Sequence, residues 1–73
     1  MTHILIFKTN IGSQRKLRLV KPILDGRPEI NRWSVDRQDV DNVLRIVAEE
    51  QVRVCDVIHM VKARGLYCEE LTD

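Results

Sequence analysis

The sequence predicts an α+β sandwich in which two helices cover one face of an antiparallel β-sheet. Strand-like and helix-like patterns of apolar residues alternate along the 73 residues, and clusters of turn-forming residues separate them. These patterns follow the order strand, helix, strand, strand, helix, strand. A chain of this length forms one hydrophobic core, so residues 1–73 are expected to be a single domain.

The first strand and the first helix occupy the N-terminal third. Residues 3–9 contain the apolar run "ILIF", which is typical of a strand covered by other elements. Ser13 is a candidate N-cap for a helix over residues 14–24. Pro22 lies within that helical pattern. Because proline lacks the backbone donor and crowds the preceding turn, we expect a kink or an early end of the helix.

The remaining elements are two strands, a helix and a short edge strand. Apolar and polar residues alternate at residues 30–35 and 40–48, and the short polar connection between them indicates an antiparallel hairpin. Helical spacing then relates four apolar residues: Val54, Val57, Ile58 and Val61. Gly65 is a natural helix end, and residues 66–71 are expected to form the edge strand. The order βαββαβ is that of the ferredoxin-like fold.

Two short segments, besides the order of elements, carry a resemblance to a known family. The segment "INRWSVD" is similar to the family's second strand, and "GLYCEEL" is similar to its Gly-Tyr ending. In these features the chain resembles the heavy-metal-associated domain, the fold of copper chaperones and of soluble modules on metal-pumping ATPases. The resemblance implies a ferredoxin-like fold over nearly the whole chain.

The family's metal ligands are a Cys-x-x-Cys pair in the first loop, usually with a methionine two residues before it. The resemblance places that pair at about Ser13 and Lys16, and the methionine at about Ile11. A serine hydroxyl is a poor ligand for a soft metal, and a lysine ammonium repels it. The resemblance therefore implies the fold without the family's metal site, and no ligand residue is transferred.

Composition and charge argue against several classes of function. The chain has 12 Lys and Arg against 11 Asp and Glu, so its net charge of +1 creates no field that attracts nucleic acid or a membrane surface. RNA-recognition domains of this topology stack bases on aromatic residues of the central strands, and here only Phe7 is available. No apolar run approaches the ~20 residues that span a bilayer. With two cysteines and no signal-peptide pattern, a cytoplasmic location is expected.

Three residues are candidate ligands for a soft metal: Cys55, His59 and Cys68. Cys55 and His59 would project from one face of the second helix, at a spacing that suits zinc or copper. Cys68 would lie roughly 20 Å from Cys55 at the helical rise, too far for one shared ion. Because a free cysteine often packs as a small apolar residue, no metal cofactor is expected. Copper or zinc binding by these residues, completed by a second chain, is the alternative.

Basic residues cluster at the start of the first helix. Arg15, Lys16 and Arg18 lie where backbone N–H groups and the helix dipole favour an anion. They are a candidate contact for an acidic partner or a phosphate, and an ordinary solvated helix face is the alternative. No Ser-His-Asp, Cys-His or paired-acid arrangement can be assembled, and a domain of this size lacks a deep cleft. A non-enzymatic protein is therefore expected.

The strongest indication of function is a sheet with apolar residues on both of its sides. In the predicted fold the helices cover one side only, and the other stays open. The candidate partner face consists of Ile4, Ile6, Trp33, Val43 and Val47. An apolar sheet face is normally covered. We therefore expect a binding module whose open face, or edge strand, pairs with a second copy or with a partner protein.

Overall fold

The computed structural model describes residues 1–71 and contains the six elements in the predicted order. They are β1 (Thr2–Thr9), α1 (Gln14–Asp25), β2 (Ile30–Asp36), β3 (Val43–Glu49), α2 (Val54–Lys62) and β4 (Cys68–Glu70). The ferredoxin-like α+β class is confirmed. No helix in this part of the chain has the length and apolar character needed to cross a bilayer.

The sheet has the strand order β2-β3-β1-β4, and every neighbouring pair is antiparallel. Leu5 lies opposite Ile46 and Phe7 lies opposite Leu44, and all four side chains are buried. Both helices pack on this face. They contribute these buried side chains to the core: Val20, Leu24, Val57, Met60 and Val61. The core therefore lies between the helices and one side of the sheet.

Helix α1 continues through Pro22 to Asp25, so the expected early end is wrong. Pro22 is exposed, whereas Val20 and Leu24 on either side of it are buried in the core. Burial of this apolar face stabilises the last turn despite the missing backbone donor. The helix is then closed at Gly26, whose N–H donates to the carbonyl of Pro22 over 3.0 Å. A Cβ at this glycine would lie 2.9 Å from that carbonyl oxygen.

Strand β3 begins at Val43, three residues later than expected. The side chain of Asp39 accepts the N–H of Asp41 at 2.8 Å, and its carbonyl accepts the N–H of Asn42 at 3.0 Å. Asn42 has a φ of 44°, in the left-handed region that asparagine tolerates. This local turn keeps the preceding residues out of the sheet, and Val40 is 91% exposed. The alternation of apolar and polar residues in the sequence cannot reveal hydrogen bonds between a side chain and the backbone.

Helix α2 begins and ends close to the expected positions. At its start, the N–H of Arg53 donates to the carboxylate of Asp56 at 2.9 Å, which places an acid in the first turn. After its end, Gly65 adopts a φ of 78°. Residues with a side chain rarely adopt that conformation, so the glycine does stop the helix.

Candidate functional site

The first loop, residues 10–13, is held by hydrogen bonds within the chain. Ile11 is fully buried and anchors the loop in the core. The hydroxyl of Thr9 accepts the N–H of Ile11 at 3.1 Å and donates to the carbonyl of Asn42 at 2.6 Å. The hydroxyl of Ser13 accepts the N–H of Lys16 at 3.2 Å, which confirms Ser13 as the N-cap of α1.

The two positions expected for the family's cysteine pair lie at the end of this loop and in the helix that follows. The loop ends at Ser13, and Lys16 lies in the first turn of α1. Asn10 is the first residue of the loop. The side-chain oxygen of Asn10 accepts the N–H of Tyr67 at 2.9 Å, and the Ser13 hydroxyl caps the helix. An amide and a hydroxyl that are engaged in this way do not fit a soft metal ion.

The three candidate metal ligands are not brought together. Cys55 and His59 are exposed on α2, whereas Cys68 is 1% exposed in the core, opposite Thr9 on β1. Burial raises the pKa of the Cys68 thiol to about 11, against a smaller opposing effect of the Lys62 charge. At neutral pH this thiol stays protonated and is a poor metal ligand. Within residues 1–71, no group of three or more His, Cys, Asp and Glu side chains could hold a metal ion.

The basic cluster lies on the first turns of α1, as expected. Arg15 and Arg18 are exposed and Lys16 is half-buried. The first turn of this helix contains no acidic residue. Positive side chains there lie beside the positive end of the helix dipole, which is unfavourable by about 0.3–1 kcal/mol for each nearby charge. The cluster is therefore an electropositive surface that destabilises its own helix slightly.

The side of the sheet that faces away from both helices is called here the open face. It is formed by Thr2, Ile4, Ile6, Lys8, Arg32, Ser34, Asp36, Val43, Arg45, Val47, Glu49 and Glu69. Ile4 lies opposite Val47, and Ile6 lies opposite Arg45. Ile4 is 57% exposed, although it is a large aliphatic side chain on a central strand. Four of the five residues predicted for the partner face thus lie on this side.

Trp33 is the exception, and its placement on the partner face is wrong. It lies opposite Ile46, which is buried under the helices, and it packs against the core. Its indole Nε1–H donates to the carboxylate of Asp25 at the end of α1, over 2.8 Å. The sequence shows that Trp33 and Val35 share a side of β2, but only the pairing of β2 with β3 shows which side.

Two arginines on the open face were not among the residues predicted for the partner face. Arg32 on β2 lies opposite Val47 on β3, and Arg45 lies in the middle of β3. A signal was available for Arg45, because it alternates with Val43 and Val47 in the sequence. A search for apolar residues alone passes over cations that interrupt an apolar side.

The open face contains two shallow hollows. One, of about 320 Å³, is lined by Ile4, Val47 and the two arginines, among others. The other, of about 470 Å³, is lined by Ile6 and Val43 together with Asp36, Asp39 and Arg45, among others. Arg45 therefore lines both hollows, and the open face mixes aliphatic side chains with charges of both signs.

Comparisons with solved structures identify the fold. No protein-family model matches the chain, and no curated protein matches it. A chain in the solution structure of the Atx1–Cu(I)–Ccc2a complex superposes with a TM-score of 0.80 over 96% of both chains, at 14% identity. The fold is that of the heavy-metal-associated domains. The yeast copper transporter domain Ccc2a gives a TM-score of 0.78 over 96% of both chains, at 14% identity.

A third structure agrees with these two. The apo form of the HMA domain of the copper chaperone for superoxide dismutase superposes with a TM-score of 0.80 and 14% identity. The match covers 99% of this chain and 69% of that one. The resemblance inferred from the sequence is thereby confirmed at the level of the fold.

Proposed function

We propose that this chain is a small, non-enzymatic interaction module whose open face binds a protein partner. The observation that carries the proposal is the open face itself. Ile4 is 57% exposed there, while the core on the other side of the sheet is complete without it. Antiparallel sheets with one solvated side normally place polar residues on that side. A contiguous group of aliphatic side chains there is typical of an interaction surface.

The polar side chains of the first loop are used within the chain. Thr9, Asn10 and Ser13 all use their side chains to hold this loop. The proposal therefore assigns binding to the open face and not to the first loop. A cytoplasmic location belongs to the proposal and agrees with two cysteines that form no disulfide.

A matched pair of substitutions tests the proposal. Ile4→Glu places a charge on the open face, whereas Leu19→Glu places one on α1, at another exposed aliphatic residue that is 43% exposed. Each tagged variant is crosslinked in the cells from which the chain comes, and its adducts are quantified by mass spectrometry. We expect Leu19→Glu to keep the wild-type adducts and Ile4→Glu to lose them. Equal adducts for both variants, with equal thermal stability, would overturn the proposal.

Soft-metal carriage is the second candidate function. It is favoured by the structural neighbours, two of which are a Cu(I) complex and a copper transporter domain. On this chain it would use Cys55 and His59, exposed one turn apart on α2, with a second chain completing the site. Cuprous ion and zinc are titrated into the reduced protein against a competing chelator, and the mass is measured under native conditions. Binding that is lost in Cys55→Ser would support a carrier, whereas no binding would reject it.

A further inference from the structure

We propose that the partner protein supplies an extended segment that pairs with β2 and lengthens the sheet by one strand. This inference rests on the proposed function and adds how the partner is held. In the strand order β2-β3-β1-β4, β2 lies at one end, and within residues 1–71 its single neighbour is β3. A segment added to β2 continues the open face directly, so one partner can contact both.

The backbone of β2 directs two residues outward, away from β3. The N–H of Glu49 on β3 donates to the carbonyl of Glu29, just before β2, at 2.8 Å, so the backbone of Glu49 faces β2. Backbone direction alternates along each strand, and the register then directs Ser34 toward β3. Trp33 and Val35, on either side of Ser34, therefore direct their N–H and C=O groups outward. These four groups are the donors and acceptors that an added strand requires.

The two edges of the sheet are protected to different degrees. β4 has three residues, and two of them are exposed glutamates. Short strands and charges of this kind discourage pairing with another chain. β2 has seven residues, and its register shift lies at the start, between Ile30 and Arg32. The rest of β2, residues 32–36, is regular, and its two outward-bonding residues carry no charge. β2 is therefore the edge that can accept a strand.

The helix side of β2 favours apolar residues on the added segment. The side chains of Trp33 and Val35 are half-buried and pack against the core. The indole N–H of Trp33 donates to the carboxylate of Asp25 on α1 at 2.8 Å, so the ring is held in place. Residues that lie opposite each other in a pair of strands place their side chains on the same side of the sheet. Two apolar residues of the segment, opposite Trp33 and Val35, therefore bury the parts of both side chains that are still exposed.

Charged residues at the two ends of this stretch set the direction of the segment. Arg32 and Asp36 lie on the open face, and the ion pairs of residues 1–71 include neither of them. Glu49, at the Arg32 end of β3, accepts the side-chain amide of Asn31 at 3.1 Å. An antiparallel segment with a base opposite Asp36, a small polar residue opposite Ser34 and an acid opposite Arg32 complements this edge. The sequence Lys-Val-Thr-Val-Glu has that pattern.

Methylated peptides test the pairing through the backbone. The probe is the peptide Lys-Val-Thr-Val-Glu with acetylated and amidated ends, titrated to millimolar concentration into the isotope-labelled full chain. The amide NMR signals of Trp33 and Val35 should shift, and their hydrogen exchange should slow. Methylation of both valine nitrogens, whose N–H groups face β2, should weaken binding by about tenfold or more. Methylation of the threonine nitrogen, whose N–H faces away, is the matched control and should leave the affinity nearly unchanged.

A substitution in β2 blocks the same edge from the side of the protein. The N–H of Val35 points away from β3, so Val35→Pro removes an outward donor and keeps the hydrogen bonds between β2 and β3. Val35→Thr keeps both the branched shape and the donor. We expect Val35→Pro to weaken binding of the unmethylated peptide by about tenfold and Val35→Thr to bind like wild type. Thermal melting shows whether each variant is folded.

Three results would overturn the inference. They are no saturable shift at millimolar peptide, equal binding of the valine-methylated and threonine-methylated peptides, and normal binding by a folded Val35→Pro. If Val35→Pro does not fold, the methylated peptides decide alone. The proposed function is judged separately by the Ile4→Glu crosslinking. Adducts that are lost in Ile4→Glu but kept in a folded Val35→Pro would reject strand pairing and keep the open face as the partner surface. Adducts of the chain with itself alone would reject a different protein as the source of the segment.

Discussion

Replacing Thr9 by valine tests whether the first loop depends on one buried hydroxyl. Thr9 is 4% exposed at the end of β1. Its hydroxyl donates to the carbonyl of Asn42 at 2.6 Å and accepts the N–H of Ile11 at 3.1 Å. Valine has nearly the same shape, so Thr9→Val removes both hydrogen bonds with little change in packing.

The expected loss of stability follows from these two bonds. Without the hydroxyl, the buried N–H of Ile11 has no acceptor, which costs about 1–3 kcal/mol, and the bond to Asn42 is worth about 0.5–1.5 kcal/mol more. The added methyl group of valine offsets about 0.8 kcal/mol. The net loss should be about 0.7–3.7 kcal/mol. A domain of 73 residues has a total stability of about 4–11 kcal/mol, so the effect is readily measured.

Urea unfolding followed by circular dichroism measures this loss. Thr2→Val, at the exposed start of the same strand, is the matched control and should change the free energy of unfolding little. The midpoint for Thr9→Val should fall while the slope stays that of wild type. A loss below about 0.5 kcal/mol would refute the reasoning, because the loop would then be held by other contacts.

Three further predictions concern charge and the two thiols. Arg15→Glu should raise the free energy of unfolding by about 0.3–1 kcal/mol at low salt and by less at high salt, since it replaces a cation at the positive end of α1. Arg27→Glu, outside the helix, should not raise the free energy of unfolding. In the native protein a thiol reagent should modify Cys55 quickly and Cys68 slowly. Cys55→Ser should therefore abolish the fast phase of labelling. Rapid labelling of both thiols in the wild type would contradict the burial of Cys68. The raised pKa of Cys68 means that the folded state keeps this proton longer than the unfolded state, so its stabilisation is present below pH ~9 and is lost as pH rises toward about 11. Urea titrations from pH 8 to 11 should show a smaller decline in Cys68→Ala, and equal declines would refute the assignment.

Local patterns explain why the order of elements was predictable. The stripe on α2 and the alternation in β3 are properties of short segments, and both agree with the structure. The predicted early end of α1 at Pro22 was wrong, because burial of Val20 and Leu24 stabilises the helix despite the low helix propensity of proline. The alternation also gave the wrong start for β3, where the turn built on Asp39 comes before the strand. In both places contacts outside the pattern decided the boundary.

The candidate site was predictable only in part, for a related reason. An apolar run on a strand that two helices cover on one side leaves one alternating pair outside the core, either Ile4 with Ile6 or Leu5 with Phe7. The side on which Trp33 lies, and the position of Arg32 beside Val47, depend on strand register. The first loop likewise depends on bonds to residues far along the chain, such as the one between Asn10 and Tyr67.

The sequence by itself determined the six elements, their order and the residues that share a side of each strand, because period and turn chemistry are local properties. Only the tertiary structure decided which side of each strand meets the helices. The first strand is apolar on both sides, so its pattern cannot distinguish Leu5 and Phe7 from Ile4 and Ile6. Pairing with β3 and burial under α1 and α2 make that choice. The same choice leaves Ile4 57% exposed on the open face.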